Sequence, residues 1–498
     1  MIEDFEHCYR ALESRDPRFD GWFVVAVTST GVYCRPSCPA ATPKRANVRF
    51  YPTAAAAGAA GFRPCLRCRP SAAPGSPEWD TRADLAGRAM RLIADGVVDR
   101  EGVAGLARRV AYSPRHLHRQ LVAELGAGPR ALARTQRAGT ARLLIETTAM
   151  PFTEVAFAAG FSTLRQFNAT VRDVFGRSPT ELRRRGRVRA EPATPGLISV
   201  WLPYRKPFHW GGLIDFLDAR AIPGVEEVTA AGYRRTLLLP RGRGVIELRF
   251  DGRELRGIFR LTDLRDLPVA VERSRRLFDL DSDPVAIDSL LSADGLLGPL
   301  VREAPGRRVP GAADGTELAL RAVLGQQVSV ARARALARSI VFELGEPLPE
   351  PDGELTHLFP TAAALAGAPP IALPMPARRQ RTLRALARRV AAGELCLDPS
   401  ADRSDARQKL LAIPGVGDWT ASYIAMRALR DPDVFLVDDL GVRRALQGLG
   451  ARLADVPRLT ERWRPWRSYA TQHLWSSLRA TRRRAARGDR VAVPGGVA

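Results

Sequence analysis

Residues 410–429 read LLAIPGVGDWTASYIAMRAL, and residues 431–446 continue as DPDVFLVDDLGVRRAL. The first stretch reads as a helix, a Pro-Gly-x-Gly turn and a second helix, a helix-hairpin-helix. Gly415 and Gly417 let backbone N–H groups approach a DNA phosphate at a helix N-terminus. By itself such a hairpin is a sequence-neutral grip and leaves the chemistry open. The acidic pair that follows narrows the choice. Asp439 lies 22 residues beyond Gly417 and 20 beyond Trp419, inside the apolar strip VFLVDDLGV. A carboxylate held there stabilises a developing sugar cation or helps to activate water, the electrostatic demand of N-glycosidic bond cleavage. Capping of the next helix suits Asp438 and Asp439 equally well.

The composition around this stretch agrees with a polyanionic partner. The 498 residues carry 76 Lys+Arg against 53 Asp+Glu, a net charge of +23, and only Lys44, Lys206 and Lys409 are lysines. Codon bias explains arginine in place of lysine but not the excess of positive over negative charge. At roughly 150 residues per domain the length implies about three or four domains, each able to bury its own core. The sequence contains no run of 18 apolar residues, which argues against a membrane span. The opening MIEDFEHCYR is acidic and polar, unlike a secretory signal. The six cysteines then read as reduced thiols, and a cytoplasmic location is expected.

Two Pro/Gly/Ala-rich seams, 69–76 (RPSAAPGS) and 187–199 (RVRAEPATPGLIS), divide the chain into a head, a middle and a long C-terminal part. In the head, Cys34, Cys38, Cys65 and Cys68 fall as C-x3-C, a 26-residue gap and C-x2-C. Two close cysteine pairs supply four soft thiolates, the set for a closed tetrahedral zinc site. Spacing alone fits a zinc ion that only holds the domain together. Cys8 and Cys396 lack such spacing, and the apolar neighbours of Cys396 predict a core residue.

The words around those cysteines are more specific. YCRPSC, NVRFY and GFRPCLRC closely resemble the zinc domain of the Ada adaptive-response regulator over roughly residues 6–70. The resemblance implies a Zn2+ site in which Cys34 is both ligand and nucleophile, taking a methyl group irreversibly from a DNA methylphosphotriester. It also places Thr30 and Arg63 where they reach phosphate. Where the family tends to carry an arginine this sequence has Ala41, with Lys44 and Arg45 a little further on.

The middle repeats itself. Ser113 and Ser162 are 49 apart, while Gly126/Gly176 and Pro129/Pro179 are each 50 apart. Each copy reads as a short helix, a tight turn and a second helix opened by an N-capping serine, strengthened in the first copy by Pro114. Two tandem helix-turn-helix units ending in FGRSPTELRRR resemble the AraC-type DNA-binding region. Residues 80–190 contain 20 Arg and ten acids, about +10, which a plain packing domain does not need. The second helices carry Arg115, His116 and Arg119 in one unit and Arg165, Gln166 and Asn168 in the other, types that reach base edges or phosphates in a major groove.

From residue 198 to about 480 the chain resembles the AlkA-type 3-methyladenine DNA glycosylase II. FHWGGLIDFLDARAIPGVE (208–226), LGQQVSV (324–330), the hairpin and ERWRPWRSYATQHLW (461–475) carry that resemblance. It implies that the second aspartate, Asp439, is catalytic and that Trp419, Tyr423 and Trp475 line a base pocket. Electron-rich rings attract a purine made cationic by alkylation, and the base leaves the duplex to reach them. The family's intercalating position falls on Gln327, a polar wedge, whereas Trp463 and Trp466 are expected to pack. Hairpin carbonyls offer a place for a monovalent cation, and no other metal is implied for this half. No Pro-Cys-His-Arg motif occurs, so the guanine-transferase half of a full Ada protein is expected to be replaced by the glycosylase.

The expected architecture is multidomain α+β. It comprises a zinc-binding α/β head (1–75), an all-α tandem helix-turn-helix (80–186), a small α+β, TBP-like domain (197–282) and an all-α helix-hairpin-helix domain (283–490). The expected partners are double-stranded DNA, both alkylated and promoter DNA, and RNA polymerase. The rival expectation is a regulator whose glycosylase half only binds DNA.

Overall fold

The computed structural model describes residues 4–68, 70, 85–185, 197–369, 375–398 and 401–486, with the side chains of the last helix through Leu478. Most of the first seam and the greater part of the second lie outside the described residues, as do positions 75, 80, 186 and 490 of the expected boundaries.

The head is a four-stranded sheet in the order Val48–Tyr51, Val24–Val27, Val32–Cys34, Arg63–Pro64, antiparallel except for the last pair. Its helix Phe5–Glu13 starts where Asp4 accepts the His7 N–H, and it buries Cys8, Tyr9 and Leu12 against Phe23, Val25 and Val48. A second helix, Ala54–Ala59, covers the other face and is tied to the middle domain by a bond from Thr53 Oγ1 to the Leu125 carbonyl at 3.0 Å.

The middle is wholly helical. In its first unit Ser113 caps Pro114–Leu125 and Gly126, at φ +71°, closes that helix. In the second unit the cap is Thr163, which accepts from Gln166 N, and not the expected Ser162. The reason is register. An offset of 50, the one shared by Gly126/Gly176 and Pro129/Pro179, pairs Ser113 with Thr163. The nineteen-residue helix Pro129–Thr147 spans both units.

The third part opens on a five-stranded antiparallel sheet in the order Leu197–Trp201, Leu255–Leu261, Gly242–Phe250, Tyr233–Leu239, Glu226–Val228. The first strand begins at Leu197, so the last three residues expected as linker are strand. Helices Trp210–Asp218 and Leu267–Leu277 pack on this sheet. From Pro284 the chain is mainly helical, but Pro347–Asp352 and Leu355–His357 pair as a bulged two-stranded ribbon that the sequence reading missed. Helices Gly315–Leu324 and Val330–Leu344 flank the loop carrying Gln327. Among the described residues no helix is long and apolar enough to cross a membrane.

The parts share cores and ion pairs. One buried cluster runs from Phe161, Phe167, Val171 and Leu182 in the second helix-turn-helix unit into Ile198, Val200 and Phe259 of the sheet. Asp95 of the middle pairs with its neighbour Arg100 at 3.2 Å and with Arg276 of the sheet domain at 3.3 Å. Arg205, buried, donates from Nη2 to the Asp20 carbonyl of the head and from Nη1 to the Asp281 carbonyl. Burial pulls the Arg205 guanidinium down to about 10, against the pull of Asp281 and Asp283.

Candidate functional sites: a thiolate centre and an aromatic pocket

In the head the strand Val32–Cys34 ends at the first cysteine, and a turn closed by Cys38 N–H to Arg35 O at 3.1 Å brings back the second. Cys65 N–H bonds Tyr33 O at 2.8 Å, which lays the C-x2-C segment beside them. The four sulfurs lie within 4.8 Å of one another, the single such cluster of His, Cys, Asp or Glu among the described residues. Contact with Cys38 above all pushes Cys34 up, while contact with Cys34 holds Cys65 down. Four close sulfurs ionise together only around a cation, and a sulfur-only tetrahedral set fits Zn2+.

The loop between Cys34 and Cys38 is fastened from below. Asp20, buried, accepts from Ser37 N at 3.0 Å and Ser37 Oγ at 2.6 Å, with Arg35 at 3.4 Å. From the middle domain, buried Arg142 donates to the Cys65 and Leu66 carbonyls at 3.4 and 3.0 Å and pairs with Glu146 at 2.9 Å. These supports have no spacing signature and were missed by sequence reasoning. Thr30 is exposed in the turn between two head strands. Arg63 is exposed too, with its guanidinium against Gly176 at the end of the second recognition helix. Ala41 and Lys44 are exposed, and Arg45 is engaged by Glu6 at 2.6 Å. Burial pushes the Cys8 thiol up to about 11, so it stays protonated at neutral pH. Cys396 is exposed, correcting its expected place in the core: Leu395 and Leu397 take the buried positions and the cysteine between them turns outward.

In the middle domain Arg115 and Arg119 are exposed on one recognition helix, where Arg119 meets His116 at 3.3 Å and His116 stacks on Tyr112. Arg165 and Gln166 are exposed on the other, and Asn168 is half-buried.

The hairpin in the C-terminal part consists of Arg403–Leu411 and Asp418–Arg427. Gly415 sits at φ +89° with Thr382 Oγ1 2.2 Å from where a β-carbon would stand, so both conformation and space require glycine. Gly417 caps the second helix and faces open space, which leaves the backbone amides behind it accessible. Gln327 is exposed at φ +54°, and its loop is moored to the hairpin by Gln326 Nε2, bonded to Gly415 O and Thr420 Oγ1, both at 2.9 Å.

The helix Asp418–Arg427 presents Trp419 and Tyr423 one turn apart, stacked at 5.3 Å and 11°. Trp475, from the last helix, lies 6.2 Å from Tyr423 and stacks on Phe216 at 6.1 Å. Asp439 stands at the end of this aromatic wall. Its Oδ1 accepts from Val442 N and from Trp475 Nε1, each at 2.9 Å, and its Oδ2 accepts from Trp419 Nε1 at 3.0 Å. Asp439 thus caps helix Leu440–Gly448 while its carboxylate faces the rings. Asp438 points outward to Arg443 at 2.8 Å. Trp463 is fully buried in the core and Trp466 packs beside it, as expected.

Sequence reasoning missed Arg427 and Phe216. Arg427 Nη1 donates to the Tyr423 hydroxyl at 2.7 Å and its guanidinium lies over the Phe216 ring at 4.8 Å. Burial pushes the Tyr423 phenol up, but Arg427 and then Arg220 outweigh it and hold the group below its ordinary value. The four-residue spacing from Tyr423 to Arg427 on one helix was a readable signal; Phe216, more than 200 residues away, had none.

Three family models match successive stretches of the chain. Residues 7–71 match the metal binding domain of Ada, 106–185 a helix-turn-helix domain and 199–314 the AlkA N-terminal domain. A probable bifunctional transcriptional activator/DNA repair enzyme AlkA of Mycobacterium tuberculosis (strain H37Rv) is 54% identical over 482 residues, covering 96% of this chain and 97% of its own. DNA-3-methyladenine glycosylase 2 of Escherichia coli (strain K12) is 38% identical over 55% of this chain and 95% of its own. The bifunctional transcriptional activator/DNA repair enzyme Ada of the same strain is 38% identical over 36% of this chain and 49% of its own. Among solved structures, the 3-methyladenine DNA-glycosylase of Archaeoglobus fulgidus shares the fold of the C-terminal part, with TM-score 0.50, 21% identity, and coverage of 56% of this chain and 98% of that one. With a zinc-binding thiolate head, a helix-turn-helix middle and a hairpin-bearing glycosylase fold on one polypeptide, the chain belongs to the family of bifunctional transcriptional activator/DNA repair enzymes that unite Ada-type and AlkA-type halves.

Proposed function

We propose that the C-terminal half excises alkylated purines of the 3-methyladenine type from DNA. In the same reading the head repairs methylphosphotriesters and so turns the chain into a transcriptional activator. The observation that carries the first part is the Asp439 carboxylate, held by two indole N–H groups at the end of an aromatic wall. A purine alkylated at N3 or N7 is cationic, binds to ring faces and is a good leaving group. As the C1′–N bond breaks, electrons leave with the base and positive charge grows on the sugar. A fixed carboxylate stabilises that charge, and water adds at C1′ with loss of its proton. The base reaches the rings only after leaving the stack. In this reading Gln327 enters the gap, while Gly415 and Gly417 present amides to phosphate.

In the head, the Cys34 sulfur attacks the methyl carbon of a phosphotriester, the C–O bond breaks, and the phosphate leaves as a diester anion. Zinc held by Cys34, Cys38, Cys65 and Cys68 would keep the acceptor cysteine as thiolate at neutral pH. Four thiolates around a dication carry a net charge near −2. Turning one into a thioether leaves about −1, which weakens repulsion from the DNA backbone. Thr30, Arg63, Arg115, Arg119 and Arg165 supply phosphate and base contacts in this reading, and RNA polymerase is the protein partner of the activated form. The domains are assigned as 1–75, 80–186, 197–282 and 283–490. A thiolate acceptor has to stay reduced, which supports a cytoplasmic location.

The test is to incubate the purified full chain with methylated DNA and to measure released bases and protein mass together. The expected result is free 3-methyladenine and one added methyl on Cys34 alone. Methyl transfer without base release would favour a regulator whose glycosylase half only binds DNA; methylation at Cys65 or Cys68 would overturn the nucleophile.

A further inference from the structure

We infer that Gly441 is a positioning residue of the aromatic pocket: its missing side chain is what lets the Trp475 indole close on Asp439. The inference rests on the glycosylase reading above and deepens it. Gly441 is the second residue of helix Leu440–Gly448, directly after the capping Asp439 and its neighbour Leu440. A β-carbon there would stand 3.0 Å from Asp439 Oδ1, 3.3 Å from Trp475 Cδ1 and 3.5 Å from Trp475 Nε1. The first two distances are tighter than ordinary van der Waals contact, so one neighbour has to give way.

Neither neighbour gives way cheaply. Asp439 Oδ1 is the oxygen that takes both the Val442 N–H and the Trp475 N–H, so moving it disturbs the helix cap and the indole bond together. Trp475 is also stacked on the Phe216 ring, at 6.1 Å between centroids. The yielding contact is therefore the Trp475–Asp439 bond itself.

The backbone does not ask for glycine at this position. Gly441 lies inside a helix and outside the left-handed region that favours glycine elsewhere in the chain. Glycine weakens a helix relative to alanine. The residue thus costs helix stability and returns space at one place, the edge of the carboxylate. Gly448, at the far end of the same helix, is the internal contrast: a β-carbon there meets nothing within 4 Å.

The test compares Gly441→Ala with Gly448→Ala in the zinc-loaded full chain. The readouts are single-turnover release of 3-methyladenine, thermal midpoint, affinity for undamaged duplex, and the indole 1H–15N signal of Trp475, assigned through Trp475→Phe. Gly441→Ala is expected to slow excision by about ten- to a hundredfold, the effect of losing one hydrogen bond to a charged acceptor. Its midpoint should fall by no more than a few degrees, because the helix gain of alanine offsets part of the lost bond. Its duplex affinity should be unchanged, while the Trp475 indole proton shifts as its bond opens. Gly448→Ala should keep the excision rate and the indole signal. In a Trp475→Phe background the bond is already gone, so adding Gly441→Ala should change the rate less than about twofold.

An unshifted indole signal in Gly441→Ala, an unchanged rate, or losses that multiply in the Trp475→Phe background would each overturn the inference. Failure of the unsubstituted chain to release any base would refute the glycosylase reading instead, and the indole signal would still decide the role of Gly441.

Discussion

Replacing Asp439 by asparagine separates charge from shape at the centre of the pocket. The carboxylate accepts three hydrogen bonds, two at Oδ1 and one at Oδ2. Asparagine has one acceptor oxygen. Its best orientation keeps that oxygen for Val442 N and Trp475 Nε1 and turns its NH2 toward the Trp419 N–H, donor against donor. One bond in three is lost, at about 1–3 kcal/mol for a charge-assisted bond, toward the low end because Asp439 is only half-buried. That lowers the midpoint of the glycosylase half by roughly 2–4 °C per kcal/mol and leaves it folded. The loss of charge weighs more on the reaction. Removing one preorganised electrostatic group slows a reaction by about 10²–10³-fold, or roughly 2.7–4 kcal/mol. The assay is single-turnover release of methylated purines, run beside calorimetry and duplex binding. Asp438→Asn is the companion variant. The Asp438 side chain is 62% exposed and pairs with Arg443, so its change is worth at most about 1 kcal/mol in stability and leaves excision intact. Excision by Asp439→Asn within about threefold of the parent, or a larger loss from Asp438→Asn, would refute the reasoning.

Chelating the metal, or Cys38→Ala, should remove zinc and unfold the head, read as lost metal content and rapid proteolysis before residue 69, since the apolar core of the head is small and metal binding is folding energy. Gln326→Ala frees the wedge loop from Gly415 and Thr420, and should slow excision from duplex more than from single-stranded DNA, as compared on the two substrates. Burial pushes the Glu272 carboxyl up to about 7, against the pull of Arg275. Its contribution to stability is complete below its ordinary value of 4.5 and is lost as pH rises through about 7. Glu272→Gln should therefore gain in midpoint relative to the parent between pH 4.5 and 8, and parallel curves in calorimetry would contradict this. Methylated protein should bind its operator more tightly than unmethylated protein, with a gap that shrinks as salt rises, because repulsion is screened over about 8 Å at physiological ionic strength.

What was legible in the sequence was what repeats or keeps a short spacing. The hairpin around Pro414, the two cysteine pairs and the tandem units needed only local rules, and each stands where those rules put it. Local rules failed where two neighbours carry the same chemistry. Serine and threonine are both suited to capping a helix, and the register of the whole repeat selects Thr163 over Ser162. Asp438 and Asp439 are alike in type, and only the packed tryptophans distinguish inside from outside. Cys396 read as core because both neighbours are apolar, yet alternation turns it outward. The ribbon strand Pro347–Asp352 was hidden by prolines at 347, 349 and 351, tolerable on an edge but poor as a strand signal. Arg142, Phe216 and Gln326 support their sites across long sequence separations, which no local pattern encodes.

Arg205 makes two bonds to main-chain oxygens, one across the head–sheet seam to residue 20 and one within its own domain to residue 281. A carbonyl is present whatever side chain a position bears. The side chain of Asp20 is meanwhile spent inward, on Ser37 and Arg35 of the acceptor loop. Mutational sensitivity at this joint is therefore lopsided. A substitution at 20 disturbs the loop that bears Cys34 and leaves the acceptor of the joint in place. A substitution at 205 does the reverse, and even lysine fails, since a single ammonium lacks the planar fork that reaches two carbonyls at once. On the head's side the joint asks for nothing but backbone, so residue 20 answers to the acceptor loop alone, whereas at 205 the joint itself selects the side chain.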